Sequence, residues 1–249
     1  MANTTQPVIL MEHVSKTYEI GASRKRDLKS SIQQSWFNFG NRKEEFFALR
    51  DINLNIREGD VWGIIGSNGS GKSTLLKLLA RVSAPSEGRI LIRGKLSALL
   101  EVRIGFHPEL TGWENIFLYG ALMGMKRSQI KSCLDSIVEF SGLEKFLSTP
   151  VKRFSSGMYV KLAFAVAIHL PVEILLLDEV LNFIDLEFQE KCIAKLNEFK
   201  QQGRTMIMVS HQLPLLNSLC SHGIFLDQGA IAFEGTIEDT IETYRSKFA

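Results

Sequence analysis

The sequence predicts an α/β fold: a buried parallel sheet flanked by helices, with an antiparallel β subdomain and an α-helical subdomain beside it. Short apolar runs at 61–65, 174–177 and 205–209 are typical of parallel strands that are buried on both faces. A charged segment, 186–201, predicts a helix between the last two runs and so gives the strand–helix–strand order of such a sheet. Apolar residues make up 45% of the chain and charged residues 22%, which excludes a disordered or coiled-coil protein.

The antiparallel subdomain is predicted from two regions. Residues 52–56 alternate apolar and polar, as in a strand with one buried face. Residues 89–93 and 96–100 flank Gly94 and predict a tight β-hairpin. A second hairpin is predicted at 224–233.

The helical subdomain is predicted from the middle of the chain. Residues 128–141 carry apolar side chains on one helical face, and Gly142 is placed to end that helix. Residues 159–170 are apolar nearly all round, so this helix must be buried. Further helices are predicted at 74–80 and 237–248.

Charge and composition exclude several classes of protein. The formal net charge of +2 is too small to indicate wholesale nucleic-acid binding. No apolar run reaches the roughly 18 residues that a membrane-spanning helix requires, and the first residues lack a secretion signal. The three cysteines have no metal-type spacing and are interpreted as ordinary thiols. We therefore expect the chain to stay in the cytosol and to have no nucleic-acid partner.

A glycine-rich motif follows the first buried strand. Residues 66–73 fit GxxxxGK[ST], in which backbone N–H groups wrap a phosphate at a helix N-terminus. Lys72 is predicted to reach the β- and γ-phosphates, and the Ser73 hydroxyl to bind Mg²⁺. The alternative, a flexible glycine loop, is disfavoured by the strand before the motif and the helix after it. The predicted nucleotide contacts are Gly66, Ser67, Asn68, Gly69, Ser70, Gly71, Lys72, Ser73 and Thr74.

Two adjacent carboxylates end the next buried strand. Asp178 and Glu179 follow the run 174–177, and parallel strands end at the sheet edge where ligands bind. Asp178 is predicted to hold Mg²⁺ through water. Glu179 is predicted to polarise the attacking water, because phosphoryl transfer needs an oriented nucleophile. Alone, such a pair is more often a solvated turn, but the glycine-rich motif favours the catalytic interpretation.

Two serines precede the apolar helix at 159–170. Ser155 or Ser156 is predicted to be its N-cap. In a second interpretation, this helix N-terminus binds the γ-phosphate of a nucleotide held by another subunit. The two serines alone leave both interpretations open.

Together these motifs resemble the ATPase subunit of ABC transporters over nearly the whole chain. More narrowly, several blocks are similar to the branch that exports lipid-linked polysaccharides such as O-antigen, teichoic acid and some capsules. The residues that carry the resemblance are 66–73, 105–112, Glu114, Asn115, 154–166, 178–181, Phe188, Gln189, Lys191, Cys192, Ser210 and His211.

The resemblance implies a P-loop NTPase (RecA-like) core in one nucleotide-binding domain, 1–249, with a helical subdomain at about 104–170 and no C-terminal carbohydrate-binding domain. It implies an ATPase that uses ATP and Mg²⁺ and forms a homodimer. The dimer would drive transmembrane permease subunits that move undecaprenyl-linked polysaccharide, from the cytoplasmic face of the inner membrane.

The resemblance also assigns roles to single residues. Tyr18 matches the aromatic residue that stacks on adenine, although an ordinary strand tyrosine is the alternative. Ser155, Ser156 and Gly157 match the signature turn that faces the partner subunit's γ-phosphate. His211 matches the switch histidine and Asp185 the inter-subunit loop. The implied catalytic residues are therefore Glu179, His211 and Lys72, and the implied metal ligands are Ser73 and Asp178.

Two departures from the family pattern bear on function. Residues 101–106 lack the glutamine that most ABC ATPases place before the helical subdomain, as is common in the polysaccharide branch. Residues 182–184 read Asn-Phe-Ile where that branch usually has Ala-Val-Gly, which predicts a stiffer loop and slower hydrolysis. Two alternatives therefore stay open: a weakly hydrolysing subunit that clamps ATP and gates a channel, and an exporter ATPase with another substrate.

Residues 21–47 form a basic and aromatic insertion. This composition predicts an interface with the permease or with anionic lipid. A solvated loop is the alternative.

Overall fold

The computed structural model describes residues 6–20, 44–99, 105–179 and 184–247. The strands are β1 (Ile9–Ile20), β2 (Glu44–Ile56), β3 (Val61–Ile65), β4 (Glu87–Ile92), β5 (Leu96–Leu99), β6 (Ile174–Asp178), β7 (Thr205–Val209), β8 (His222–Asp227) and β9 (Ala230–Thr236). The helices are α1 (Lys72–Leu79), α2 (Gly112–Leu122), α3 (Arg127–Ser141), α4 (Ser156–Ile168), α5 (Leu186–Gln201), α6 (Leu213–Leu219) and α7 (Ile237–Lys247).

The larger sheet has six strands in the order β5-β6-β7-β3-β8-β9. The first five strands in this order, β5, β6, β7, β3 and β8, are parallel, and β9 is antiparallel to β8. Every residue of β3 and β7 is buried, as their apolar sequences predict. The connections that leave β3, β6 and β7 all emerge at one edge of this sheet, because these strands run in the same direction.

A second, antiparallel sheet has the order β2-β1-β4. In β2, Ile52, Leu54 and Ile56 are buried and Asn53 is exposed, which confirms the predicted alternation. Residues 44–47 belong to β2 and pair with β1, so the predicted end of the insertion at residue 47 is wrong. The rest of the insertion, residues 21–43, lies outside the described residues.

The hairpin predicted around Gly94 is wrong. β4 pairs with β1 in the smaller sheet, whereas β5 pairs in parallel with β6 in the larger one. Gly94 has φ of +100°, and the main chain of Lys95 accepts hydrogen bonds from the N–H groups of Glu173 and Ile174. The chain thus crosses between sheets at Gly94, because the start of β6 offers Leu96 a partner that β4 does not.

The helical region contains α2, α3 and α4, which lie within the predicted range 104–170. Helix α4 is buried along most of its length, and Gly142 ends α3 in a left-handed conformation, as predicted. Helix α5 has the bounds expected from the sequence, and the hairpin of β8 and β9 is confirmed. None of the helices in the described ranges is long and apolar enough to cross a membrane.

A buried asparagine organises the entry to this helical region. The Asn115 side chain is fully buried; its Oδ1 accepts from the His107 N–H at 2.7 Å, and its Nδ2 donates to the carbonyls of His107, Leu110 and Thr111. The loop that Asn115 holds also bonds to the segment before α4. Its hydrogen bonds there are Val151 N–H to Leu110 O at 2.9 Å, Lys152 N–H to Pro108 O at 3.0 Å and Gly112 N–H to Thr149 O at 3.2 Å.

Candidate nucleotide-binding site

The glycine-rich motif forms the loop between β3 and α1, as the sequence predicts. Gly69 and Gly71 have φ of +81° and +107°, which favours glycine. A Cβ on Gly71 would lie 2.6 Å from the Ala48 carbonyl oxygen, so the close packing of β2 also requires glycine here. The loop delivers Lys72 as the first residue of α1, and its backbone can approach an anion closely.

Lys72 is buried inside this loop. Its Nζ donates hydrogen bonds to the carbonyl oxygens of Gly66 at 2.8 Å and Ser67 at 2.9 Å. Burial lowers the pKa of Lys72, and the nearby carboxylates of Glu179 and Asp178 oppose that shift. The ammonium group therefore lies between the loop and the two carboxylates that end β6.

Asp178 is half-buried at the end of β6. Burial raises the pKa of its carboxyl group, as does the adjacent Glu179, whereas Lys72 and a hydrogen bond with the Ser73 side chain lower it. The side chain of Ser73 at the start of α1 is thus near the carboxylate of Asp178 at the end of β6. These oxygen donors fit the ligand preference of Mg²⁺.

Glu179 and His211 meet at the same edge of the sheet. His211 Nε2 lies 2.9 Å from Glu179 Oε1. Glu179 has φ of +50°, a conformation that is unfavourable for a residue other than glycine, and its N–H donates to the Val209 carbonyl at 3.0 Å. The fold therefore fixes the backbone of Glu179 against the end of β7, and the histidine contacts its carboxylate.

A pocket of about 260 Å³ opens above the loop. Its walls combine the glycine-rich loop, the start of α1, the end of β6 and the beginning of β2. It is lined by Phe46, Ala48, Asn68, Gly69, Gly71, Lys72, Ser73, Thr74 and Glu179. Tyr18, which is 43% exposed on β1, and the turn at 155–157 are not among these lining residues.

The signature turn has the geometry of a helix cap. Ser155 is the N-cap of α4, and its hydroxyl oxygen accepts a hydrogen bond from the Met158 N–H at 3.2 Å. Ser155 and Ser156 are both exposed, and Gly157 is partly exposed. The capping interpretation is confirmed, and the contact with a partner's phosphate stays a prediction.

Asp185 has two partners within this chain. Its side chain caps α5 by accepting from the Phe188 N–H at 3.0 Å, and Oδ2 lies 2.5 Å from Lys161 Nζ on α4. Lys161 lowers the pKa of Asp185, mainly through this hydrogen bond. The loop before Asp185, residues 180–183, lies outside the described residues, as do residues 100–104, where the family's glutamine would be.

Two residues of this region were missed in the sequence. Lys161 is a partly exposed charge in an otherwise apolar helix, and that contrast was an available signal. Phe46 was assigned to the insertion, and only the pairing of β2 with β1 places it at the pocket.

These features define a class. A glycine-rich loop between a buried parallel strand and a helix, with lysine, serine and a strand-end aspartate together, is the phosphate site of a P-loop nucleotide-binding protein.

Residues 49–182 match the protein family described as ABC transporter. The O-antigen export system ATP-binding protein RfbB of Klebsiella pneumoniae is 37% identical over 247 residues, 98% of this chain and 99% of that protein. The teichoic acids export ATP-binding protein TagH of Listeria monocytogenes is 38% identical over 95% of this chain and 69% of that protein. The chain therefore belongs to the ABC transporter family, as an ATP-binding subunit.

Two further comparisons bear on extent and fold. The RfbB protein of Myxococcus xanthus is 44% identical over 80% of this chain, and the match spans 45% of that relative's length. The dimeric, post-hydrolysis ATP-binding cassette MJ0796 bound to ADP and Pi superposes with a TM-score of 0.74 at 24% identity, covering 92% of this chain and 98% of that one. This likeness confirms the predicted P-loop α/β fold.

Proposed function

We propose that this chain is the ATP-hydrolysing subunit of an ABC exporter that moves lipid-linked polysaccharide across the inner membrane. The contact between Glu179 and His211, 2.9 Å apart beside the phosphate-binding loop, carries the proposal of hydrolysis. The sequence similarity to O-antigen and teichoic acid export proteins supports the class of substrate. The proposed substrate is a lipid-linked polysaccharide of the O-antigen kind, carried on undecaprenyl.

In this proposal each residue of the site has one task. The backbone N–H groups of residues 66–74 bind the phosphates, and Lys72 neutralises the β- and γ-phosphate oxygens. Ser73 and Asp178 hold Mg²⁺, directly and through water. When bound, Mg²⁺ supplies positive charge to the phosphate oxygens.

Glu179 is the group that acts on water. Its carboxylate accepts a hydrogen bond from the attacking water and orients it toward the γ-phosphate. His211 contacts the same carboxylate, so it fixes the direction in which Glu179 points. Both groups lie at the end of the sheet near Lys72, which Glu179 influences electrostatically.

The remaining predicted contacts involve a second copy of the chain. We propose a homodimer in which the exposed turn at Ser155, Ser156 and Gly157 faces the γ-phosphate bound by the other subunit. The N-terminus of α4 supports this role, because the N–H groups at the start of a helix and its dipole favour an anion. Asp185 follows the loop expected at the subunit boundary, and Tyr18 is proposed to stack on adenine.

The partner in the membrane is proposed to be a separate permease. The chain would bind it from the cytoplasmic face, and the sugar path would lie in the permease. We propose that residues 21–43, with their basic and aromatic composition, contact the permease or anionic lipid.

The test is the steady-state ATPase rate of the purified chain with its permease in lipid. Glu179→Gln should lower turnover by at least about 100-fold while Mg-ATP binding is kept, because only water activation is lost. The control is Glu190→Gln, an exposed glutamate of α5, which should leave turnover unchanged. Negligible wild-type turnover despite tight ATP binding would contradict the proposal and favour the gating subunit.

A further inference from the structure

An aromatic side chain lies at the mouth of the phosphate-loop pocket and has been given no task in the site so far. Phe46 lines this pocket and is 48% exposed. We propose that Phe46 stacks on the base of the bound nucleotide, as a second aromatic contact beside Tyr18. This inference rests on the proposed function, because it requires that a nucleoside triphosphate binds at residues 66–74.

The packing of β2 against the loop sets the position of Phe46. The Ala48 carbonyl lies close to Gly71, and both Phe46 and Ala48 line the pocket. The pairing of β2 with β1 shifts register at Ala48, so the pocket lining, not strand alternation, places these two residues together. A strand rises at most about 3.4 Å per residue, so the Phe46 backbone lies up to about 7 Å beyond Ala48 along β2. In our proposal, with the phosphates at the loop, the ribose lies beside Ala48 and the base beside Phe46.

The pairing of β1 with β2 places a second ring on the same face. Tyr18 is directly opposite Phe46, and residues opposite each other in an antiparallel pair have neighbouring side chains. Phe47 points to the other face, where the Arg50 guanidinium lies 4.9 Å from the centre of its ring. The face with Phe46 and Tyr18 therefore offers two half-exposed aromatic rings to a base.

The chemistry of stacking predicts what Phe46 recognises. A phenyl ring stacks on the π-face of any base, since it carries no hydrogen-bonding group. Removing such a ring lowers affinity by about tenfold or more. Phe46 should therefore strengthen binding of ATP and GTP alike and contribute nothing to a ligand that lacks a base.

Isothermal titration calorimetry of the full chain tests this with three magnesium-bound ligands: ATP, GTP and inorganic tripolyphosphate. Phe46→Ala should lower the affinities for ATP and GTP by the same factor, about tenfold. Its affinity for tripolyphosphate should stay within twofold of the wild-type value. Phe46→Trp keeps an aromatic ring and should bind ATP as wild type does. Phe47→Ala, an adjacent half-exposed phenylalanine, is the matched control and should change none of the three affinities.

The inference is overturned if Phe46→Ala binds ATP within twofold of wild type. It is also overturned if that variant loses tripolyphosphate affinity equally, because the damage would then lie in the loop. In both cases wild-type binding of ATP and tripolyphosphate would leave the proposed function intact. A wild-type chain that binds neither ligand would instead refute the proposed function, and the inference with it.

Discussion

At the scale of single residues, two features of the proposed catalytic site are unfavourable for the stability of the fold. Asp178 is charged in a half-buried position, so its pKa is raised mainly by burial. Glu179 adopts φ of +50°, where residues with a Cβ are strained. Neither feature stabilises the chain by itself, as expected of residues that serve the proposed chemistry.

Asp178→Asn should therefore stabilise the protein while removing its Mg²⁺-dependent turnover. The stability that comes from a protonated Asp178 is fully present below its ordinary pKa of 3.8 and is lost as the pH rises through the raised value. At pH 7.5 the wild type carries the whole penalty, and asparagine does not. After allowance for solvent screening, we expect a gain on the order of 1 kcal/mol, or about 2–4 °C in Tm.

The measurement is the thermal midpoint of both proteins at pH 7.5 and at a pH close to the ordinary pKa of 3.8, without nucleotide. The difference should be smaller at the lower pH. A variant that melts below the wild type at pH 7.5 would show that Asp178 is stabilised as an anion.

Whether a site residue could be predicted depends on how far away in the sequence its structural partners lie. The loop at 66–73 and the pair Asp178-Glu179 were predictable, because each forms a local pattern next to a buried strand. Phe46 was not, since its place depends on the register of β2 against β1. The partnership of Lys161 with Asp185 likewise depends on how α4 packs beside α5.

At the scale of elements, hydrogen bonds and one ion pair connect the signature turn and its helix α4 to neighbouring segments. The loop held by Asn115 is hydrogen-bonded to the segment immediately before Ser155. Lys161 on α4 connects to Asp185 at the start of α5, with its ammonium 5.2 Å from the centre of the Phe188 ring. The signature turn is thereby fixed on both sides.

Asn115→Ala should destabilise the helical region strongly. The change leaves the His107 N–H without the side-chain oxygen that accepts from it. It also removes three donations from a fully buried side chain to the carbonyls of His107, Leu110 and Thr111, each of which keeps one backbone donor. We expect a loss of about 2–4 kcal/mol in the free energy of unfolding. Chemical denaturation measures it, and Asn217→Ala, at an exposed position of α6, is the control. A loss below about 1 kcal/mol in the free energy of unfolding would mean that the loop keeps its conformation without the Asn115 side chain.

Lys161→Met should remove the ion pair between Lys161 on α4 and Asp185, the N-cap of α5. We expect a loss of about 1 kcal/mol, since Lys161 is mostly shielded from solvent. The matched control is Lys191→Met, whose i,i+4 pair with Glu187 is exposed, and about 0.3 kcal/mol is expected there. Equal losses in the two variants, measured by urea denaturation, would contradict a special role for Lys161.

The predictions of helices and strands were correct where the sequence pattern is local. The hairpin prediction failed where a strand could join either of two sheets. The bounds of α5 and the end of α3 at Gly142 followed from periodicity and a glycine stop. The segments on either side of Gly94 are both strands, as predicted, but a hairpin pattern cannot show which sheet each strand joins. That choice depends on Glu173 and Ile174, which are distant in the sequence.

At the scale of the whole molecule, the proposed homodimer requires the N-terminus of α4 to meet a phosphate bound by the other copy. In the described chain this turn is exposed and lies outside the pocket at 66–74. Each copy would then supply half of each site, so dimerisation would depend on ATP.

Glu179→Gln with Mg-ATP should elute as a dimer in gel filtration and as a monomer without nucleotide. Adding Ser156→Glu should abolish the dimer, because it puts a carboxylate where the γ-phosphate is expected. The same change should not lower monomer stability, since an acidic residue suits the first turn of a helix. The control, Ser128→Glu in the first turn of α3, should leave the dimer intact. A dimer that persists in the Ser156→Glu variant would place this turn away from the phosphate.

The central position of β3 has a consequence for synthesis of the protein. Val61 pairs with Met206 and Trp62 with His222, so β3 has no neighbour in its sheet until most of the chain has been translated. During that time the ribosome carries a strand of five apolar or small residues, Val61–Ile65, with both edges open to other chains. The yield of soluble protein should therefore depend on translation speed and on chaperones that cover this strand.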